Sequence, residues 1–427
     1  MQRFDESRRR VLQAAGAAAG LGALGACATT APVAEKKLGR VLVVGAGYGG
    51  ATAAKYLKLW GGAGIEVMLI DRETAFVSCP LSNLVLGGSR RIEDLTIGYE
   101  GLRRQGVVVL SDEVRSIDPA KRKVTFGKFA DQTFDRIVVS PGIDFNFAAI
   151  QGLDAEAQKT ILHAWKAGPQ TVALRRQLEA MPDGGVYVLT VPLAPYRCPP
   201  GPYERACVVA DWLKKNRAGS KVIVLDANPG ITAEPLAFTN AFDVVHKGVV
   251  EYHPGVTINS IDASTMTLNT SLGNLKAKVI NAIPPHKAGK VVINNGLANV
   301  GGRWAGVDVL TYQSTAAPGI HVIGDASATT QPKAGHIANQ EAKTCADAIV
   351  RLLAGRSPDP SPITNSACYS PITADTASWL TAVFAYDPVS RTMQPVPGAA
   401  GEAAARSQDN YNEMFKWFNT LMEDSFA

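Results

Sequence analysis

The sequence predicts an α/β protein with two Rossmann-like dinucleotide-fold domains followed by a C-terminal α+β segment. Three observations carry that prediction. A strand–glycine turn–helix unit opens near Gly39, a second strand–helix–strand unit opens near Gly185, and a late strand ends in Gly324-Asp325. The chain has 427 residues, too many for one core. It is 46% hydrophobic and 19% charged, which suits a folded enzyme rather than a disordered or fibrous chain. The formal charge is +5, and the four arginines of residues 1–28, set against Asp5 and Glu6, supply much of it. With no later basic run interleaved with aromatics, a nucleic-acid partner is not expected.

Residues 1–30 read as a targeting segment. Ser7-Arg8-Arg9-Arg10-Val11-Leu12 precedes an uncharged Ala/Gly/Leu stretch from Ala14 to Ala26, the pattern of a twin-arginine export signal and too short to span a bilayer. Export by that route implies a periplasmic protein folded around a cofactor. Leu24-Gly25-Ala26-Cys27 fits either a lipoprotein box, leaving a lipid tether at Cys27, or a plain small-residue cleavage site. No other segment reaches membrane-spanning length, so no integral span is expected.

Gly39 to Val44 is a buried strand, Gly45-Ala46-Gly47-Tyr48-Gly49-Gly50 a glycine turn, and Ala51 to Leu59 a helix. A strand from Ile65 to Ile70 then ends in Asp71, about twenty residues past the last glycine. In this context Gly45, Gly47 and Gly50 let backbone N–H groups approach a pyrophosphate, and Asp71 can accept from a ribose hydroxyl. Phe134 to Val139 is a strand running into a tight turn at Ser140-Pro141-Gly142. The strand ending at Gly324-Asp325 is similar to that of glutathione reductase-like FAD enzymes, which implies Asp325 on the flavin ribityl chain. A helix from Ile337 to Ala354 follows, its N-terminus directed at the pyrimidine edge of the flavin by the same resemblance. Lys333 before it either adds a charge there or is a solvated loop lysine. The FAD-binding domain is therefore discontinuous, 38–152 and 287–357.

Between its halves, 153–286 forms the second dinucleotide fold: a strand from Gly185 to Thr190, a helix from Tyr203 to Asn216, and a strand ending at Leu225-Asp226. The connecting loop, Val191 to Pro202, holds five prolines and one glycine where a nucleotide-binding loop would be glycine-rich. Each proline removes a backbone donor, so this loop cannot wrap a pyrophosphate. Cys198 stands at the helix N-terminus instead, and binding of NAD(P)H is not expected.

The C-terminal domain, 358–427, begins with a Pro/Ser linker and carries Cys368 in a stretch without apolar periodicity. Its last helix sets Tyr411, Met414, Phe415, Phe418, Leu421 and Met422 at helical spacing, with Glu413, Lys416, Glu423 and Asp424 opposite. That acidic face predicts packing on protein rather than on a membrane surface. The six histidines show no ligand spacing, so no metal site is expected. The absence of C-x-x-C-H excludes a c-type haem on this chain.

The glycine motif, Cys198-Pro199-Pro200-Gly201-Pro202-Tyr203-Glu204-Arg205, Cys368-Tyr369-Ser370 and the twin-arginine leader together resemble the flavoprotein subunit of flavocytochrome c sulfide dehydrogenase. The resemblance implies FAD-dependent oxidation of sulfide or a related sulfur substrate, with electrons passing to a c-type cytochrome subunit. It implies a redox-active Cys198–Cys368 disulfide and a flavin bound covalently through Cys79 in Ser78-Cys79-Pro80. The alternative for Cys79 is a loop thiol beside a noncovalent flavin. Hydrosulfide attack on a disulfide gives a persulfide and a thiolate, and a helix N-terminus stabilises a thiolate at Cys198. Glu204 in the first turn either exchanges protons there or serves the helix dipole. Cys207 and Cys345, inside predicted helices, read as buried reduced thiols. A sulfide:quinone oxidoreductase, or a flavin-bearing carrier or docking subunit without turnover, are the alternative functions.

Overall fold

Strand β1 (Gly39–Val44) lies inside a seven-stranded sheet because Val41, Leu42 and Val43 are buried on both of its faces. The chain turns into α1 (Tyr48–Gly61) and returns as β2 (Ile65–Asp71), which pairs with β1 in parallel. Strand β3 (Val108–Ser111) extends the sheet beyond β2, and β4 (Arg136–Val139) pairs with the other side of β1. Such a strand, covered on both faces, needs a continuous apolar run rather than an alternating one. The computed structural model describes residues 37–427. The segment 1–30 expected to act as an export signal, with Cys27, lies outside the described residues.

A second parallel sheet follows. Strand β5 (Val186–Val191) leads through the proline-rich loop into α2 (Gly201–Asn216), then β6 (Lys221–Asp226), β7 (Val250–His253) and β8 (Val279–Ala282). Their spatial order is β7-β6-β5-β8, all parallel. The chain then rejoins the first sheet as β9 (Ile320–Val322), parallel to β4, and continues into α3 (Gly335–Leu353), which packs along α1.

The C-terminal portion forms an antiparallel meander, β10 (Ile363–Pro371), β11 (Ala377–Asp387) and β12 (Thr392–Glu402), closed by α4 (Gln408–Phe426). Met414, Phe418, Leu421 and Met422 are buried on its inner face, and Phe426 stacks on Phe76 at 4.9 Å. The apolar stripe of α4 thus packs on protein, as its pattern predicts.

One expectation is corrected here. Cys368 sits in the regular strand β10, not in an irregular stretch. The inward positions of β10 include Thr364, Ser366 and Ser370, small polar residues that are buried; Thr364 accepts from Gln331 and Ser370 donates to Glu234. A strand buried through hydroxyls has no apolar alternation to read.

Candidate functional site

A cavity of about 930 Å³ opens at the carboxyl ends of β1, β4 and β9, at the upper end of the usual size for ligand clefts. Gly45, Gly47, Asp71, Cys79, Gly142 and Asp325 all line it. Two glycines are demanded by the chain itself. Gly45 has φ +93°, and a Cβ there would lie 2.3 Å from the Ser140 carbonyl oxygen. A Cβ on Gly50, which packs beneath the loop, would lie 1.7 Å from the Gly45 carbonyl oxygen. The other two keep space clear: a Cβ on Gly142 would meet nothing within 4 Å, and one on Gly47 only Phe76 at 3.7 Å.

Asp71 is held against the glycine turn. Its Oδ2 accepts from the Ala46 N–H at 2.6 Å and its Oδ1 from the Glu73 N–H at 2.9 Å. Asp325 has a buried Oδ1 without a partner, and burial raises its carboxyl above the usual range. An orphaned buried acceptor on the wall of a ligand-sized cavity calls for a donor-rich ligand. The glycine cradle at the start of α1, the orphaned carboxylate and the cavity size fit FAD, whose pyrophosphate and ribityl hydroxyls match these groups.

Lys333 departs from its expected place. Its ammonium donates to the Ser327 carbonyl at 2.6 Å and rests 4.0 Å from the Trp304 ring centre. There it lines a separate cavity of about 500 Å³ rather than the first. Burial lowers its pKa to about 8, against the pull of Asp325 and Glu341. The cations that do line the first cavity are Arg72, Arg115, Lys290, Lys166 and Arg197. Sequence reasoning missed all five, because a lone cation carries no motif; adjacency to Cys198 was the only available signal for Arg197.

In the second fold the residue at the end of β6 is engaged within the protein. Asp226, at the end of β6, accepts from Tyr203 at 2.7 Å, Tyr252 at 2.9 Å and the Asn228 N–H at 2.8 Å, and is fully buried. Cys198 adopts φ +61°, uncommon outside glycine. Its N–H donates to the Lys333 carbonyl at 2.7 Å and its carbonyl accepts from the Gly201 N–H at 3.0 Å. A Cβ on Gly201 would lie 2.7 Å from the Cys198 sulfur and 2.9 Å from the Trp165 ring. The loop's single glycine therefore makes room for the Cys198 sulfur.

Helix α2 packs on β10, which brings Cys198 within electrostatic range of Cys368, Glu204 and Cys79. Cys79, Cys198 and Cys368 are free thiols in this structure, so the expected Cys198–Cys368 bond is not formed in it. Cys198 and Cys368 lie outside the lining of the first cavity, whereas Cys79 is on its wall, with its sulfur 3.9 Å from the Trp165 carbonyl.

The expected thiolate at Cys198 is also corrected. Burial lifts this thiol well above its ordinary pKa, with Glu204 and Cys368 adding to the rise and Arg197 opposing it. Burial pushes Cys368 up to about 12, with Glu234 and Glu204 next in effect. The helix start does little to oppose this. Pro199, Pro200 and Pro202 have no N–H, and that of Gly201 is bonded to the carbonyl of Cys198.

Glu204 is buried in the first turn of α2 and accepts from Asn83 Nδ2 at 2.9 Å. Burial pushes its carboxyl up to about 8; the Asn83 bond opposes this, Glu234 adds to it and Arg205 opposes it. Arg205, fully buried, donates to Asn83 Oδ1 at 2.9 Å, Asn281 Oδ1 at 2.8 Å and the carbonyls of His163 and Ala164 at 2.9 and 2.8 Å. It clamps the Cys79 segment, the 163–165 turn and α2 together. Cys207 and Cys345 are fully buried core thiols, as expected. Among the described residues, no helix is long and apolar enough to cross a membrane.

Three family profiles match the chain: pyridine nucleotide-disulphide oxidoreductase over residues 39–177, the central part of the sulfide dehydrogenase [flavocytochrome c] flavoprotein chain over 171–284, and flavocytochrome c sulphide dehydrogenase, flavin-binding, over 360–426. The sulfide dehydrogenase [flavocytochrome c] flavoprotein chain of Chlorobaculum thiosulfatiphilum is 54% identical over 46 residues, 11% of this chain and 94% of that sequence. The mitochondrial sulfide:quinone oxidoreductase of Dictyostelium discoideum is 24% identical over 302 residues, 68% of this chain, which spans 66% of that relative. The sulfide:quinone oxidoreductase structure from Aquifex aeolicus superposes with TM-score 0.73 at 17% identity, covering 90% of this chain and 91% of that one. Putidaredoxin reductase in its covalent complex with putidaredoxin gives 0.61 at 16% identity, covering 90% and 93%. At these identities the structural likeness establishes the fold: a mixed α/β architecture shared with FAD-dependent disulfide oxidoreductase-like proteins.

Proposed function

We propose, for a chain that belongs to the family of flavocytochrome c sulfide dehydrogenase flavoprotein chains, that it oxidises sulfide at a Cys198–Cys368 pair and passes the electrons to a c-type cytochrome subunit. The observation that carries this reading is the nesting of the Cys198 sulfur against Gly201, in electrostatic range of Cys368 and Glu204, where a nucleotide loop would otherwise stand.

Gly45, Gly47, Asp71, Gly142 and Asp325 hold the flavin in segments 38–152 and 287–357, with Gly50 packed beneath the turn and Arg197 and Lys166 among the residues supplying positive charge. When bound, the flavin supplies a two-electron acceptor that can release electrons singly. Cys79, on the cavity wall, is the covalent attachment point. In the oxidised protein, hydrosulfide attacks the Cys198–Cys368 bond. A new S–S bond forms on one cysteine, the old one breaks, and the other cysteine leaves with the electron pair. Glu204, protonated up to about pH 8, gives its proton to that thiolate, which burial strongly favours as the neutral thiol. The sulfide sulfur is thereby oxidised by two electrons. The leader directs the folded protein to the periplasm, where a disulfide persists.

The likeness to sulfide:quinone oxidoreductases favours one second reading, with a quinone as acceptor. Against it, the apolar face of α4 is buried on protein. Stopped-flow reduction of the flavin by sulfide, comparing wild type with Cys198→Ser, tests the chemistry. Near-complete loss in the variant is expected, and equal rates would overturn the mechanism. Steady sulfide-dependent reduction of a soluble c-type cytochrome, but not of a water-soluble quinone, identifies the acceptor. A flavin that bleaches once and never reoxidises would mark a subunit without turnover.

A further inference from the structure

Glu234 is a buried carboxyl that the chemistry above does not use. Its backbone lies at the surface, between exposed Thr232 and exposed Pro235 and Leu236, yet the residue is 3% exposed because its side chain turns inward. It does so from φ +52°, a left-handed conformation that a non-glycine residue adopts only when its surroundings enforce it. Oε1 accepts from the Ser370 hydroxyl at 2.6 Å, and Oε2 is buried with no hydrogen-bond partner. Ser378 Oγ is likewise buried and unpartnered, close enough to influence the carboxyl but outside hydrogen-bond geometry. Ser370 is two residues from Cys368 on β10, so both side chains project to one face of the strand.

Each turnover must dispose of two protons. Hydrosulfide attack, once the leaving thiolate is protonated, leaves one proton on the persulfide and one on the freed thiol; when the S–S bond re-forms, the sulfane sulfur passes to a second hydrosulfide as HS₂⁻, the electron pair passes to the bound cofactor, and both protons are left in a buried site. Glu204 is one acceptor. We propose that Glu234 is the second: a positioning and proton-holding residue that links the Cys198–Cys368 pair, through Ser370, to the surface loop. This inference rests on the sulfide-oxidation reading. Its carboxylate takes the proton at Oε1 as the Ser370 hydroxyl relays, becomes the acid, and releases the proton from a loop one side chain away from solvent.

The groups facing Glu234 agree with this role. Glu204 and Cys207 on α2, Cys368 on β10 and Glu402 on β12 are acids or thiols in electrostatic range, with no lysine or arginine among them. Burial raises Glu234 to about 7, with Ser370 and Ser378 lowering it and Glu402 adding to the rise. It therefore exchanges protons at neutral pH, below the Glu204 value of about 8.

The test uses the flavin-loaded full chain and Glu234→Gln, which keeps an acceptor oxygen for Ser370. Infrared difference spectra across pH 6 to 9 should show a protonated-carboxyl band in wild type that titrates near pH 7 and is missing in E234Q. The pH profile of sulfide-driven flavin reduction should lose the matching ionisation, with the rate at pH 7 falling about tenfold or more. An unchanged profile and an unchanged band in E234Q would overturn the proposal. Should E234Q fail to fold, wild type alone decides: no carboxyl band titrating near pH 7 overturns it. Failure of sulfide to reduce the wild-type flavin strikes the parent reading instead, whereas normal reduction with an unaltered E234Q strikes this one only.

Discussion

Replacing Glu204 by glutamine separates the catalytic from the structural consequences of burying a carboxyl. Burial moves this group from 4.5 to about 8. The folded protein therefore holds a proton that the unfolded chain has already released between those two values. Through that window the unfolded state binds fewer protons, so wild-type stability falls as pH rises, then levels once both states are ionised. A displacement of that size corresponds to on the order of 5 kcal/mol, an upper bound because Asn83 and Arg205 can rearrange around the ionised form. Glutamine has the shape of the protonated acid and cannot ionise. E204Q should therefore melt close to wild type at pH 5 and clearly above it at pH 9, in a calorimetric comparison of the flavin-loaded proteins. The same substitution removes the proposed proton donor, so sulfide-driven flavin reduction should fall by about 10²- to 10⁴-fold at pH 7. Wild type should lose rate above pH 8 as the acid form is depleted. An E204Q protein that reacts within threefold of wild type would refute the acid role, and one that gains no stability at high pH would refute the burial argument.

Asp325→Ala removes the orphaned acceptor of the cofactor cavity. It should weaken flavin retention by tenfold or more, read as the ratio of flavin to protein absorbance after gel filtration, while the apoprotein keeps its far-ultraviolet circular dichroism. Cys79→Ser tests the covalent link: acid precipitation should leave yellow colour in the wild-type pellet and release it to the supernatant in the variant.

The reach of the sequence follows from how local each requirement is. Gly45, Gly50 and Gly142 answer to backbone geometry set within a few residues, so a contiguous string announces them, and Asp71 and Asp325 follow at the ends of strands whose apolar runs are equally visible. The prolines around Cys198 are legible for the same reason, since a missing N–H needs no tertiary context. Cys368 was found by resemblance, but its strand was hidden because Thr364, Ser366 and Ser370 bury hydroxyls instead of hydrocarbon. Arg205 and Glu234 were not found, since a charged residue in a helix or loop looks solvated until its partners, drawn from Asn83, His163, Ala164 and Asn281 or from Ser370, are known.

Where charge and proton affinity are concerned, the enclosing shell decides. By itself the amino-acid order determined the two dinucleotide folds, the glycine turn of the first, the proline-rich loop of the second and the residue types of the proposed sulfur chemistry. Only the tertiary structure decided that Lys333 faces Trp304 and a separate cavity, that Arg197 and Lys166 face the first one, and that Cys198 is held as a neutral thiol. The reason is desolvation: it depends on every atom that displaces water around a group, and those atoms come from segments far apart in the chain.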